Sequence, residues 1–218
     1  MRADPPLLPE QVIPRPVAEA LAGPTTWFLI GGQAVRCLVP YRSSRDVDLG
    51  VGTTADLDEI LDRLARVGTF ELVERSADTA HVLVEGLEVS VFVLERLAPF
   101  AQGGRLGVTG LLATKLHAIL DRGLRRDFFD LYVLLQHERL GVAAAIDALR
   151  EVYRQPVRDE LLLRALCYFD DAEREERLPG EGDRDFQTVR RFFLKQVGQL
   201  LVPPTAALEI QSQRVDVR

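Results

Sequence analysis

The chain has 218 residues, 47% of them hydrophobic and 28% charged. That is enough apolar material for one compact domain or two small ones, and it excludes wholesale disorder. A net charge of −6 excludes global attraction to nucleic acid and leaves only local basic patches for that role.

In chain order, MRADPPLLPEQVIPRP carries prolines and acids where a signal peptide needs a basic start and an unbroken apolar stretch. No run approaches a membrane span. The expected setting is therefore cytoplasmic, without membrane contact. PVAEALAG (16–23) reads as a short helix, WFLI (27–30) as a buried strand and QAVRCLV (33–39) as a helix entered through Gly31 and Gly32. RDVDLGV reads as the second strand. TADLDEILDRLARVG (54–68) is a helix with Thr54 as its expected cap. FELVER, AHVLVEG and LEVSVFVL read as strands, the last two joined as a hairpin through Glu85-Gly86. From about Gly110 the pattern is helical throughout: 110–121, 125–137, 142–154, 158–176 and 185–201. Pro156 and LPGEGD (178–183) punctuate that half. The two cysteines, Cys37 and Cys167, lack metal-ligand spacing.

The fold class expected is α/β: a mixed sheet with helices, followed by an all-helical C-terminal half. The expected division is 1–108 and 109–203, with a seam near GGRLGVTG and a loosely held tail at 204–218.

RSSRDVDLGV (42–51) poses the functional question. Period two sets Val47, Leu49 and Val51 on one face, and Ser44, Asp46 and Asp48 on the other. Two carboxylates two residues apart repel one another unless something positive lies between them. A hard divalent cation answers this, and Mg²⁺ is commonly held by one or two carboxylates plus substrate phosphates. The competing reading is an edge strand with a solvated face. Upstream, Gly31-Gly32 opens a helix whose N–H groups suit an anion. It is neither a dinucleotide fingerprint nor a P-loop. Phosphates held by one element and a metal by the next are what nucleotidyl transfer requires.

Gly31, Gly32 and Ala34, followed by Arg42, Ser44, Asp46, Asp48 and Leu49, resemble the opening of the polymerase-β-type nucleotidyltransferase superfamily. More narrowly, the chain resembles the AbiEii/AbiGii-type nucleotidyltransferases, many of them toxins of toxin–antitoxin pairs. A second block, LLATKLHAILDRGLRRDFFDLYVLL, resembles that family through Lys115, Ala118, Arg126, Asp127, Asp130 and Leu131. A softer match is ALCYFDDAE (165–173). The resemblance implies an NTP substrate, Mg²⁺ or Mn²⁺ on Asp46 and Asp48, and nucleotide contacts from Gly31, Gly32, Arg42, Ser44, Lys115 and Arg126. It makes Asp127 an orienting or chemical residue. A cognate antitoxin and a tRNA or protein acceptor are the partners it suggests.

Read on its own, the second block places Lys115 at the margin of an apolar stripe. There a lysine also serves by covering apolar surface with its stem. It is one of only two lysines, with Lys195. Asp127 lies on the core side of its helix, where an acid needs a partner, and in a first turn that favours acids in any case. Asp130 points off that face and is expected to pair with Arg126 or a neighbour. Arg122, Arg125 and Arg126 form a basic cluster suited to a phosphate or to solvent. His81, His117 and His137 stand isolated in the sequence and receive no role. Relatives carry a third carboxylate on a later strand. Here Ser90 takes that place in LEVSVFVL: either Glu88, two residues earlier on the same face, substitutes, or a different group acts as base, or the activity is lost. The function read from these residues is transfer of a nucleoside monophosphate from an NTP to an acceptor hydroxyl. A small-molecule nucleotidyltransferase of the antibiotic-resistance kind and a degenerate nucleotide- or partner-binding module are the alternatives.

Overall fold

The computed structural model describes residues 5–202, apart from 25, 45, 155, 180 and 182–184. The expected tail at 204–218 lies outside the described residues. Two proline-led turns of helix, α1 (Pro9–Val12) and α2 (Arg15–Ala20), precede β1 (Trp27–Leu29). Then come α3 (Gly31–Leu38), β2 (Val47–Val51), α4 (Thr54–Leu64), β3 (Phe70–Arg75), β4 (Thr79–Val84) and β5 (Leu87–Val93).

The five strands form one mixed sheet in the order β1-β2-β5-β4-β3. Only β2 and β5 run parallel, and the crossover between them contains α4 and the β3–β4 hairpin. Alternation explains the layering. Val47, Leu49, Val51, Ala80, Val82, Val84, Val89 and Val91 are buried on one face, where α4 packs with Leu57, Ile60, Leu61 and Leu64. The other face carries Asp48, Ser90 and His81. The β4–β5 hairpin turns on Glu85 and Gly86, both at positive φ (51° and 74°), as a two-residue turn between twisted strands requires.

After a short hairpin, β6 (Ala101–Gln102) and β7 (Arg105–Leu106), the chain is helical: α5 (Val108–Asp121), α6 (Arg125–Glu138), α7 (Val142–Tyr153), α8 (Asp159–Leu166), α9 (Asp170–Arg174) and α10 (Phe186–Leu201). Phe128 of α6 anchors this half. Its ring meets Phe169, Phe186 and Phe193 at centroid distances of 5.1, 6.2 and 5.4 Å. Each such ring removed from water contributes about 1.5–3 kcal/mol. One apolar core runs through both halves, from Val12 to Val197, and α3 touches both α5 and α6.

Four local expectations change. Thr53, not Thr54, caps α4: its hydroxyl accepts from the Asp56 amide at 3.2 Å, and the Asp56 carboxylate accepts from the Thr53 amide at 2.9 Å. This reciprocal box needs the acid three residues on, which Thr54 lacks. The glycine pair lies inside the first turn of α3 rather than ahead of it. The helix expected over 158–176 breaks at Cys167–Phe169, because Phe169 turns inward against Phe128 while Tyr168 stays exposed. The GGRLGVTG seam is a tight hairpin: Gly103 and Gly104 take φ of 57° and 74°, and the Leu29 amide donates to the Gly104 carbonyl at 2.9 Å.

Candidate active site

The site is assembled where β2, α3, α5 and α6 meet. Asp46 is exposed at the start of β2, and Asp48 is half-buried on the open face of that strand. Gly31, at φ 61°, lies so close that a Cβ there would collide with the Asp48 carboxylate. A Cβ on Gly32 would come within 2.7 Å of Ser44 Oγ and 2.9 Å of Arg42 Nη2. Both glycines are therefore required by close approach, and they bring the first turn of α3 against the carboxylate. Buried Gln33 donates to the Ser44 carbonyl at 3.0 Å and accepts from Arg36, which fixes the loop leading into β2.

Asp130 overturns its expected place on an outer helix face. It is fully buried and is the hub of a knot. Its carboxylate accepts from Tyr41 Oη at 2.5 Å, from Arg42 Nε and Nη2 at 3.0 and 2.9 Å, and from Lys115 Nζ at 2.8 Å. Burial pushes this carboxyl up, but Lys115 and Arg42 outweigh burial and hold it below the ordinary carboxylate range. Arg42 and Asp130 are 88 residues apart in sequence, so the knot ties the loop before β2 to the helical half. Lys115 is not a stem with its head in water: it is 4% exposed and committed to Asp130.

Asp127 is also fully buried. Its carboxylate accepts two hydrogen bonds from Arg122, each 2.9 Å, and one from the Leu124 amide at 3.3 Å. It thus closes the N-terminus of α6 and orients Arg122. The three arginines part company. Arg125 turns away, pairing with Glu181 at 3.1 and 2.8 Å under the Phe186 ring. Arg122 and Arg126 both act electrostatically on Asp48. Arg126 Nε is buried without a hydrogen-bond partner among the described residues.

Electrostatics tie these parts together. Burial raises the Asp48 carboxyl above its ordinary value, and Asp46 raises it further, against Lys115, Arg122 and Arg126. The structure therefore brings Asp46, Asp48, Lys115, Arg122 and Arg126 into one field. Arg42, Gly31, Gly32 and Ser44 line its edge.

The two aspartates fit a magnesium or manganese ion. They repel one another, and no described hydrogen bond or salt bridge neutralises either. Among the described residues no group of three or more His, Cys, Asp or Glu is arranged to hold a metal. The aspartates would then be the whole protein contribution, with water and phosphate oxygens completing the shell, as Mg²⁺ favours.

On β5, Ser90 pairs directly with Asp48 across the parallel strands. Glu88 is exposed and lies level with Asp46, one residue before the Val47–Val89 pair. His81 is not isolated: its Nδ1 is 2.8 Å from Ser90 Oγ. Its only sequence signal was the alternation that sets His81 and Ser90 on the same faces of paired strands. Tyr41 and Gln33 had no signal beyond their nearness to the motif.

Residues 106–205 match the family model described as Nucleotidyl transferase AbiEii toxin, Type IV TA system. The match covers the helical half, with Lys115, Arg126, Asp127 and Asp130, and agrees with the resemblance read from the sequence. No curated protein sequence matches the chain. Among solved structures, JHP933 from Helicobacter pylori is similar, with a TM-score of 0.54 and 16% identity over 93% of this chain and 93% of that one. A second H. pylori chain, titled as a candidate nucleotidyltransferase, gives a TM-score of 0.49 and 18% identity over 89% of this chain and 97% of that one. The first of these likenesses bears on the fold alone. No described helix is long and apolar enough to cross a membrane.

Proposed function

We propose that this chain, whose helical half matches the AbiEii nucleotidyltransferase toxins, transfers a nucleoside monophosphate from an NTP to an acceptor hydroxyl on RNA or protein. The observation that carries the reading is the Asp46–Asp48 pair, which has no ion pair or hydrogen bond among the described residues, with Asp48 on the open strand face beside Gly31 and under the influence of Lys115, Arg122 and Arg126 from other elements. Such a field suits a triphosphate with its counter-ion.

Magnesium or manganese, held by Asp46 and Asp48, would polarise the α-phosphate and neutralise charge as pyrophosphate leaves. The chain's own residues do the rest. Gly31 and Gly32 let backbone amides approach the phosphates closely, which a Cβ would prevent. Arg126 adds a further positive charge to the field around Asp48. Lys115 and Arg122 add positive charge while Asp130 and Asp127 hold them in place. Arg42 and Ser44 shape the entrance beside Gly32. Glu88, level with Asp46, is the carboxylate assigned to receive the acceptor's proton.

In this reading the chain is the toxin of a pair and has a cognate antitoxin as partner. The test is incubation with each labelled NTP, Mg²⁺, total RNA and lysate protein. Label entering RNA or protein with wild type, and none with Asp48→Asn, is the expected result. A neutral amide is a poor ligand for a hard cation. Equal transfer by Asp48→Asn would remove the site assignment. Label entering neither fraction would remove the function.

A further inference from the structure

One row of side chains crosses the open face of the sheet through four strands. Asp48 pairs with Ser90 across β2 and β5, Ser90 with His81 across β5 and β4, and His81 with Glu74 across β4 and β3. Paired residues share a face, and neighbouring strands lie about 4.8 Å apart. Ser90 is therefore one strand spacing from Asp48, and His81 is two. His81 Nδ1 is 2.8 Å from Ser90 Oγ, and the imidazole stands at 82° against the Phe92 ring, 5.8 Å away. Ser90 and His81 are both half-buried, and Glu74 is exposed.

A serine hydroxyl is a weak nucleophile until a neighbouring base takes its proton. Here the base is in hydrogen-bond contact, held on its other side by an aromatic ring and followed in the row by a carboxylate. The same serine stands beside the aspartate that marks the metal and the α-phosphate. A base meant for an external acceptor would have to stand closer to Asp48 than His81 does. The proton within its reach is that of Ser90.

We infer that Ser90 is itself a nucleotidyl acceptor, its hydroxyl activated by His81. The inference rests on the nucleotidyltransferase reading of Asp46 and Asp48. In the Nε2–H tautomer, Ser90 donates to Nδ1. As Oγ attacks the α-phosphorus of the NTP, the hydroxyl proton passes to Nδ1 and an Oγ–P bond forms. The bond from the α-phosphorus to the bridging oxygen breaks, and pyrophosphate leaves with the electron pair. The products are Ser90 joined to a nucleoside monophosphate through a phosphodiester, pyrophosphate, and an imidazolium at His81, whose strand partner is Glu74. When an acceptor hydroxyl then attacks the same phosphorus, its proton passes to Glu88, the bond from phosphorus to Ser90 Oγ breaks, and Ser90 recovers its proton from His81.

The test is intact-mass measurement and peptide mapping of the full chain after incubation with Mg²⁺ and ATP, CTP, GTP or UTP, without any acceptor. One nucleoside monophosphate on the Ser90 peptide is the expected result. It should be absent in Ser90→Ala and retained in Ser90→Thr. In His81→Gln it should form roughly 10²–10⁴-fold more slowly, as for loss of general-base help. Circular dichroism of each variant separates loss of chemistry from loss of fold. An unmodified wild-type chain that still labels added RNA or protein would overturn the Ser90 step and leave nucleotidyl transfer standing. An adduct mapped elsewhere, or persisting in Ser90→Ala, would also overturn it. Absence of label from the chain and from every added acceptor would remove both.

Discussion

Two pairs of aspartates meet at the centre of this molecule, and they are treated in opposite ways. Asp127 and Asp130, on α6, are fully buried, yet each is answered: Asp127 by Arg122 and a backbone amide, Asp130 by Tyr41, Arg42 and Lys115. Asp48 on β2 and Asp46 just before it are more open and have no direct ion pair among the described residues. Buried charge is tolerated only when paired and hydrogen-bonded, and α6 obeys that rule. The strand pair breaks the corresponding rule for like charges, although three cationic side chains, Lys115, Arg122 and Arg126, act on Asp48. The satisfied pair builds the frame, and the unsatisfied pair is the one proposed to take a cation.

The sharpest way to break this contrast is Asp130→Asn. The substitution leaves Lys115 and Arg42 buried with a neutral partner. Removing one side of a buried ion pair costs about 3–5 kcal/mol, so denaturant unfolding should show a loss of that order. Asp130 has a folded-state pKa below its ordinary 3.8. Its contribution is therefore fully present above the unfolded value and is lost as pH falls through the folded one. The wild type should lose this component in acid, and the variant should lack it from the start. A variant as stable as wild type would reduce the knot to a surface-like contact.

Next in size is Glu88→Gln. If Glu88 receives the acceptor's proton, transfer to RNA or protein should slow by roughly 10²–10⁴-fold, with stability unchanged because Glu88 is exposed. An unchanged rate in single-turnover measurements would take Glu88 out of the site and give the missing carboxylate's place to Ser90 and His81 alone.

The contrast also shows what was legible in the sequence. Asp46 and Asp48 could be read because strand alternation is local: period two fixes which face a side chain takes. The β4–β5 hairpin was legible for the same reason, since Glu85-Gly86 is a turn written in two residues. Asp130 was misread because a helical wheel assumes one buried face, whereas α6 is buried nearly all round, with Arg125, Phe128, Phe129, Asp130, Leu131 and Val133 inside. The Arg42–Asp130 bridge spans 88 residues, and no local pattern predicts a pairing that only packing creates. His81–Ser90 lay between these extremes. Both residues were correctly placed on strands, but the register that joins them is a property of the sheet.

A smaller effect separates the cations. Arg126 has a buried Nε without a hydrogen-bond partner among the described residues, whereas Lys115 is already bonded. Arg126→Gln should weaken NTP binding without unfolding the chain. Loss of a charge-assisted hydrogen bond of about 1.5–3 kcal/mol corresponds to a Kd roughly 10- to 100-fold higher by titration calorimetry. Lys115→Ala should weaken binding too, but with a stability loss, since Asp130 loses a donor. Lys195→Ala, exposed on α10, should change neither. Identical affinities in Arg126→Gln and Lys195→Ala would show that Arg126 takes no part in holding the phosphates.

The smallest effect tests the unsatisfied pair directly. Burial first, and Asp46 second, hold the Asp48 carboxyl above its ordinary value. For an acid with a raised folded-state pKa, the associated stability is present below the unfolded pKa and is lost as pH rises through the folded one. At neutral pH the ionised Asp48 is therefore a net cost to the fold. Asp48→Asn, which should abolish transfer, should also raise Tm at pH 7, by on the order of 1 °C. The advantage should vanish in acid, where the wild-type carboxyl is protonated. Magnesium should raise the wild-type Tm by binding the folded state and leave the variant's Tm unchanged. A lower Tm for Asp48→Asn at pH 7 would mean that the strand pair is satisfied in the free protein, and the two pairs of aspartates would then no longer differ in kind.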